Sequence, residues 1–115
     1  MLSYASNFED VLLYRCFRNV RSGFYIDIGA HHPTFASVTR WFYDQGWSGI
    51  NVEPGAEIDN LRAQRARDVN LALAVADFEG EAVFYEHSGC TATSSLMEAT
   101  SPRVIEAREG SWRKR

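Results

Sequence analysis

Two short stretches of the sequence place carboxylates where a folded α/β protein binds ligands. The first is Asp27-x-Gly29-Ala30, and the second ends at Glu53. Each stretch closes a short, nearly continuous apolar run, at residues 24–28 and 49–53, of the kind that forms buried parallel strands. Ligands of open α/β sheets bind beyond the carboxyl ends of the strands. We therefore expect both stretches to line one site.

Glu53 closes the second predicted strand, and its carboxylate suits a sugar diol. A carboxylate at this position can accept a hydrogen bond from each hydroxyl of a ribose. Dinucleotide sites and S-adenosylmethionine sites share this chemistry, so Glu53 indicates an adenosine-type ligand without choosing between them. The alternative is that Glu53 only caps the helix predicted after Pro54.

The turn after the first strand distinguishes these two ligands. A pyrophosphate site needs glycines at G-x-G-x-x-G spacing, because backbone amides must approach the phosphates. Here Gly29 is followed by His31, His32 and Pro33, and Asp27 adds a negative charge before the turn. A carboxylate repels pyrophosphate and attracts an ammonium or a sulfonium. The motif favours S-adenosylmethionine over NAD, unless Asp27 is a buried structural acid bonded to backbone amides.

The elements that must hold these residues alternate along the chain. Helices are predicted at residues 6–19, at 35–45 and around Ile58 and Leu61, with Arg65 as a further candidate position, and strands at 24–28, 49–53, 69–75 and 81–87. An alternative for the last strand is a hairpin with the one before it. The leading helix starts with a capping-box pattern, Ser6 to Glu9. Residues 88–100 are predicted to be a loop, and Ser101-Pro102 to open a short helix.

This order predicts an α/β fold. It is a βαβαβ unit with a leading helix, the first half of a doubly wound, Rossmann-like sheet. The second half of such a sheet is expected to be missing, because the sequence ends before it could form. The first strand would then be an apolar edge without a neighbour, open to self-association or to a second polypeptide.

The composition predicts one small globular domain. The chain has 115 residues, with 45% hydrophobic residues, 23% charged residues and a net charge of −3. These values argue against disorder and give no support for a nucleic-acid partner. No apolar run approaches the roughly 20 residues of a membrane span, and without a recognisable signal peptide we expect a cytoplasmic protein. Cys16 and Cys90 lack the spacing of a zinc site, and we expect no metal.

The C-terminal end differs in charge from the rest of the chain. Residues 103–115 contain five basic and two acidic residues. We expect a basic, solvated tail that follows a domain spanning residues 1–102, and the alternative is an arm that binds phosphate or a membrane surface.

Four motifs in this sequence resemble those of the FkbM-type, class I methyltransferases. They are a Ser/Asn/Glu/Asp leader at residues 6–10, Gly-Phe-Tyr-Ile-Asp-Ile-Gly-Ala at 23–30, a Pro with Ser-x-Thr within 33–39, and Phe-Tyr-x-x-Gly-Trp-x-Gly-Ile-Asn-x-Glu-Pro at 42–54. Each motif alone is weak, but four in the family's order are specific. The resemblance continues more loosely over residues 69–96.

The resemblance implies an S-adenosylmethionine-dependent O-methyltransferase that acts on a hydroxyl of a sugar or polysaccharide-type small molecule. It implies that Asp27, Gly29 and Ala30 line the methionine portion of the cofactor. It also implies that Glu53 binds the ribose hydroxyls and that Asp77, just after the third strand, lies near the adenine.

Further roles follow from the same resemblance. Glu9 and Asp10 would lie at the mouth of the site, or would only complement the start of a helix. From the chemistry of the reaction rather than from the resemblance, His32 is a candidate general base for the hydroxyl proton of the acceptor. The alternative is a histidine that only makes hydrogen bonds in a turn. Ser37 and Thr39 are expected to support the first turn.

Three hypotheses remain open at this point. The first is an O-methyltransferase or its N-terminal fragment. The second is an inactive remnant or half-domain that acts only by pairing with another chain. The third is a fragment of an NAD-type dehydrogenase, which the missing glycine-rich turn disfavours.

Overall fold

The structure, a computed structural model, describes residues 1–81, 84–87 and 112–114. The chain divides into two units, Met1–Leu73 and Ala74–Arg115. The first unit holds a parallel sheet of three strands with its helices, and the second holds an antiparallel pair of strands. No helix among the described residues is long and apolar enough to cross a membrane.

Helices and strands alternate in the first unit. Its elements are α1 (Glu9–Phe17), β1 (Phe24–Ile28), α2 (Arg40–Asp44), β2 (Ser48–Val52), α3 (Ile58–Gln64) and β3 (Val69–Leu71). The strands are parallel and lie in the order β1-β2-β3. The predicted α/β class is confirmed, and the sheet is compatible with part of a Rossmann-like fold.

The register of the sheet separates its side chains into two faces. Asp27 pairs with Asn51, which pairs with Asn70, while Ile26 pairs with Ile50. Successive side chains of a strand point to opposite faces. The polar face consists of Tyr25, Asp27, Gly49, Asn51 and Asn70. The apolar face consists of Phe24, Ile26, Ile28, Ser48, Ile50, Val52, Val69 and Leu71.

The first strand is less buried than its composition predicted. Phe24, Ile26 and Ile28 on the apolar face are each more than 60% exposed. In the three-stranded sheet β1 lies at one edge, with β2 as its neighbour. The burial suggested by the apolar run is therefore absent on one face of β1, while the strand lies at an edge of the sheet as expected.

An aromatic cluster joins α1, α2 and the start of β2. The ring centroids of Phe42 and Trp47 lie 4.9 Å apart, and those of Phe17 and Trp47 lie 6.3 Å apart. A Cβ atom at Gly23 would overlap the Trp47 ring. The close approach of the chain to Trp47 thus requires glycine just before β1.

The leading helix begins later than the capping-box pattern predicted. Its N-cap is Phe8, in a left-handed conformation with φ 60°, and no side chain caps the helix. The Glu9 carboxylate accepts a hydrogen bond from the Asn7 amide at 3.0 Å rather than from Ser6. The predicted helix over residues 6–19 is therefore shorter at both ends.

The second helix also begins later than predicted. Ala36 has φ 57°, a left-handed conformation that a helix does not contain, and Phe35 is 77% exposed. Residues 35–39 thus belong to the loop after β1, and α2 starts at Arg40.

The second unit pairs its strands differently from the prediction. β4 (Tyr85–His87) pairs with β5 (Trp112–Lys114) and not with the strand before it. β5 lies within the predicted basic tail, so three residues of that tail form a strand.

In the first unit, β3 ends at Leu71, earlier than the predicted residue 75. The predicted loop at residues 88–100, the short helix at Ser101-Pro102, and Cys90 lie outside the described residues.

Candidate functional site

The turn after β1 crosses the carboxyl end of β2. The amides of Gly29 and Ala30 both donate to the Val52 carbonyl oxygen, at 2.8 and 3.1 Å. Gly29 and His31 have φ 72° and φ 55°, and these left-handed conformations curve the turn. The His31 amide then donates to Glu53 Oε1 at 2.9 Å. The structure thus brings Gly29, Ala30 and Glu53 together, as the sequence predicted for strand ends.

The Glu53 carboxylate is held from two sides. Its Oε1 accepts from the His31 amide, and its Oε2 accepts from the Gly55 amide at 2.7 Å. Glu53 is only 7% exposed. Gly55 precedes α3, which begins at Ile58, so the carboxylate bonds turn amides rather than the first turn of the helix. Each oxygen of a carboxylate has a second lone pair, so both can still accept from a diol.

Gly29 and Ala30 contribute to the site in different ways. A Cβ atom built at Gly29 would meet nothing within 4 Å, so open space lies beside this residue. The Ala30 side chain is buried in a small core cluster with Ile58 and Leu61. Gly29 therefore borders open space, while Ala30 anchors the turn to α3.

Asp27 lies on the polar face of the sheet and is hydrogen-bonded to another side chain. Its Oδ2 accepts a hydrogen bond from the Thr39 hydroxyl at 2.7 Å. Burial raises the pKa of Asp27, while the Thr39 hydrogen bond and the nearby charge of Arg65 act to lower it. The hydroxyl partner differs from the backbone amides that a purely structural acid was expected to have.

The family model of the methyltransferase FkbM domain matches residues 27–114, which is more than half of the chain. The chain belongs to the FkbM methyltransferase domain family. The resemblance deduced from the four motifs is confirmed. The match begins at Asp27 and includes Gly29, Ala30, Glu53 and Asp77, whereas the leader at residues 6–10 lies outside it. No curated protein and no solved structure matches the chain.

In this methyltransferase domain the two acids of the leader, Glu9 and Asp10, form hydrogen bonds with residues close to them in the sequence. Asp10 is fully buried, and its carboxylate accepts from the Ser3 hydroxyl at 2.6 Å and from the Tyr4, Ala5 and Val11 amides. Burial acts to raise the pKa of Asp10, but these hydrogen bonds outweigh it and leave the pKa below its ordinary value.

Glu9 shows the same local bonding. The hydrogen bonds from its own amide and from the Asn7 amide lower the pKa of Glu9. These contacts agree with a local role at a helix start, and a role of Glu9 and Asp10 at the mouth of the site stays a prediction.

His32 forms part of the turn in the FkbM domain. Its Nδ1 accepts hydrogen bonds from the amides of Thr34, at 3.1 Å, and Phe35, at 2.9 Å. Nδ1 is therefore already used as a hydrogen-bond acceptor within the turn. This geometry favours the turn-forming alternative, and the general-base role of His32 stays a prediction.

Asp77 lies in the second unit of the chain, where it is exposed. Its predicted place near the adenine stays a prediction. Among the described residues, no group of three or more His, Cys, Asp or Glu side chains could hold a metal ion.

The sequence grouped Arg65 with Ile58 and Leu61 on the third predicted helix but did not predict its role in the hydrogen-bond network. The Arg65 side chain is 1% exposed and forms a buried ion pair with Asp68 at 3.3 Å. It also donates hydrogen bonds to the Pro33 carbonyl and to the hydroxyls of Tyr25, Ser37 and Thr39. Its position continues the helical spacing of Ile58 and Leu61, which are both buried. An arginine on the apolar side of a predicted helix was the available signal.

Proposed function

We propose that this domain binds S-adenosylmethionine and catalyses transfer of the methyl group to a hydroxyl of a small molecule. The observation that carries the proposal is the Glu53 carboxylate. It is buried at the end of β2, held by the amides of His31 and Gly55, and lies next to the turn at Gly29. When bound, the cofactor supplies a methyl group activated by its sulfonium.

Glu53 would bind the ribose of the cofactor. The two amide hydrogen bonds fix the plane of the carboxylate before any ligand arrives, which lowers the entropic cost of binding. The remaining lone pairs of Oε1 and Oε2 suit the two hydroxyls of a ribose. This preorganisation supports Glu53 as a ligand-binding residue.

Asp27 and Gly29 would bind the methionine portion, and Ala30 would hold the turn in place. The open space beside Gly29 lets a ligand approach the backbone. The Asp27 carboxylate suits a cationic ammonium or sulfonium and would repel a pyrophosphate. The residues present thus fit S-adenosylmethionine better than NAD. We propose Asp77 as a residue near the adenine, in accordance with the family resemblance.

The acceptor would be a saccharide-type hydroxyl, again in accordance with the resemblance. The domain would promote the displacement mainly by holding the acceptor oxygen in line with the methyl group. We retain His32 as the general base to be tested, although its Nδ1 already accepts two amides. A cytoplasmic location stays a prediction.

Calorimetric titration with S-adenosylmethionine and S-adenosylhomocysteine tests this proposal, with NAD as the control ligand. Glu53→Gln and Asp27→Asn are each expected to weaken binding by about 10- to 100-fold, because each loses a charge-assisted contact. Asp59→Asn is the matched control, since it makes the same charge change on a side chain that is 81% exposed. Binding that is unchanged in Glu53→Gln, or equal for NAD, would contradict the proposal.

A second candidate function is favoured by the exposed apolar face of β1, with Phe24, Ile26 and Ile28. In this alternative the chain is inactive and acts by pairing along the β1 edge with a copy of itself or with another polypeptide. Analytical ultracentrifugation distinguishes the two functions. A stable dimer that binds no S-adenosylmethionine would favour the alternative, and a monomer that binds it would exclude the alternative.

A further inference from the structure

Arg65 joins the loop after β1 to the polar face of the sheet. Its Nη2 donates to the Pro33 carbonyl at 2.9 Å and to the Ser37 hydroxyl at 3.0 Å, and both acceptors lie in that loop. Its Nη1 donates to the Tyr25 hydroxyl at 3.1 Å, on the sheet. One buried side chain, at the residue that follows the last turn of α3, thus holds the loop against β1.

The Thr39 hydroxyl lies between Arg65 and Asp27. Nη1 and Nη2 of Arg65 donate to Thr39 Oγ1 at 3.3 and 3.4 Å, and Thr39 Oγ1 donates to Asp27 Oδ2 at 2.7 Å. A guanidinium can only donate hydrogen bonds, and a hydroxyl has a single proton. Because Thr39 accepts from Arg65, its one proton is directed to Asp27.

The same order of donors recurs on the other side of Arg65. Nη1 donates to the Tyr25 hydroxyl, which in turn donates to Asp68 Oδ2. Arg65 therefore lies between two hydroxyl–carboxylate pairs. Asp68 Oδ2 also accepts from the Asn51 side-chain amide and Oδ1 from the Gly49 backbone amide, both at 2.9 Å, so both oxygens of this carboxylate are bound within the protein.

We propose that Arg65 is a positioning residue for the cofactor: through Thr39 it orients the Asp27 carboxylate, so that Oδ2 is bound and Oδ1 is left to accept from the ammonium of the ligand. This inference rests on the proposed function. The planar fork of arginine is required, since it must reach the Pro33 carbonyl and the hydroxyls of Ser37, Thr39 and Tyr25 together. Lysine would supply the charge but not this geometry.

The electrostatics of Asp27 give this inference a pH-dependent consequence. The charged groups that act on Asp27 are Arg65, which lowers its pKa, and Asp68, which raises it, while the Thr39 hydrogen bond also lowers it. Loss of the Thr39 hydroxyl should therefore raise the pKa of Asp27 further. If binding needs the ionised carboxylate, the pH at which affinity is lost on acidification should move upward.

The test compares Thr39→Val with Thr39→Ser in the full chain. Val keeps the shape of Thr and removes the hydroxyl, whereas Ser keeps the hydroxyl. We expect Thr39→Val to bind S-adenosylmethionine about 5- to 10-fold more weakly at neutral pH and to lose affinity at a higher pH on acidification. Thr39→Ser should restore both values. Thr34→Val is the control, because Thr34 accepts from Arg40 in the same loop and makes no bond to Asp27.

A carboxyl NMR titration of Asp27 in the same variants separates this inference from the proposed function. A raised Asp27 pKa in Thr39→Val, but not in Thr39→Ser, would support the link even if no variant bound S-adenosylmethionine. In that case the proposed function would fail, and of this inference only the orientation of Asp27 through Thr39 would stand. The positioning role would be overturned if the wild type binds S-adenosylmethionine and Thr39→Val binds it with the same affinity and loses affinity at the same pH on acidification.

Arg65→Lys provides the second variant, since it retains a positive charge beside Asp68. We expect it to fold and to weaken binding by an amount similar to that of Thr39→Val. Binding in Arg65→Lys as tight as in the wild type would show that the guanidinium fork is not needed, and would also overturn the inference.

Discussion

The two faces of the three-stranded sheet show opposite relations between polarity and burial. On the polar face, Asn51 is fully buried, and Asp27 and Tyr25 bond to side chains from the loop and from the end of α3. On the apolar face, Ile26 and Val69 are 62% and 55% exposed. Val52 on the central strand is buried, so the apolar face is exposed mainly at the outer strands β1 and β3.

This difference indicates what holds the first unit together. Burying polar groups is costly unless each finds a partner. Here Arg65 and Asp68 supply most of those partners, and among the described residues only Asn51 Oδ1 is a buried side-chain atom without one. We infer that the polar network, more than apolar packing on β1, determines the position of the loop that borders the site.

The largest expected effect comes from breaking the polar face at Arg65. Arg65→Met keeps much of the side-chain volume but leaves the buried Asp68 carboxylate without its cation. We expect a loss of about 3–5 kcal/mol in the free energy of unfolding, measured by urea denaturation. Arg62→Met is the control, because Arg62 lies on the same helix with its side chain 52% exposed. Equal stability of the two variants would show that the network does not hold the unit.

An intermediate effect is expected from a comparison of two hydrogen-bonded acids, the fully buried Asp10 and the half-buried Asp27. The hydrogen bonds of Asp10 lower its pKa, so its stabilisation is present above pH 3.8, the ordinary value, and is lost as the pH falls through the lowered pKa. The pKa of Asp27 is raised, so its ionisation lowers the free energy of unfolding as the pH rises from 3.8, the ordinary value, through that raised pKa.

The corresponding asparagine variants should therefore differ in sign. Asp10→Asn is expected to lower the free energy of unfolding at neutral pH by about 1–3 kcal/mol, because amide donors lose a charged acceptor. Asp27→Asn is expected to leave it unchanged or raise it at neutral pH. Thermal unfolding between pH 3 and pH 7 measures both profiles. A similar loss in the two variants would refute the distinction between the acids.

The smallest effect is expected on the apolar face. Ile26→Ala should change the free energy of unfolding by less than about 0.5 kcal/mol, because its side chain is already largely in water. Ile58→Ala is the matched comparison, since Ile58 is 5% exposed in the core cluster and its loss should cost about 2–5 kcal/mol. A large loss in Ile26→Ala would show that this face is covered in solution.

Local pattern predicted several elements well. The bounds of β1 agree with the structure, since an apolar run between glycines is a clear strand signal. Glu53 was expected at the strand end where Gly29 meets it, and the two are joined through the His31 amide. The family followed from the order of four motifs and is confirmed.

Other features depended on contacts that a local pattern does not contain. The capping box at Ser6 and Glu9 did not form, because Asp10 binds the amides of Tyr4 and Ala5 and holds the leader outside the helix. The second helix lost its first half because Ala36 adopts a left-handed conformation. Both cases are competitions for backbone groups that depend on residues several positions away.

The sequence by itself determined the parallel α/β class, the family and the place of Asp27, Gly29 and Glu53 at strand ends, because strand periodicity and turn composition are local properties. Only the tertiary structure decided which side chains share the polar face and how Arg65 reaches Thr39, Tyr25 and Asp68. The reason is physical. A hydrogen-bond network is set by the distances between elements that are far apart in the chain, and those distances exist only once the sheet, the loop and α3 have packed together.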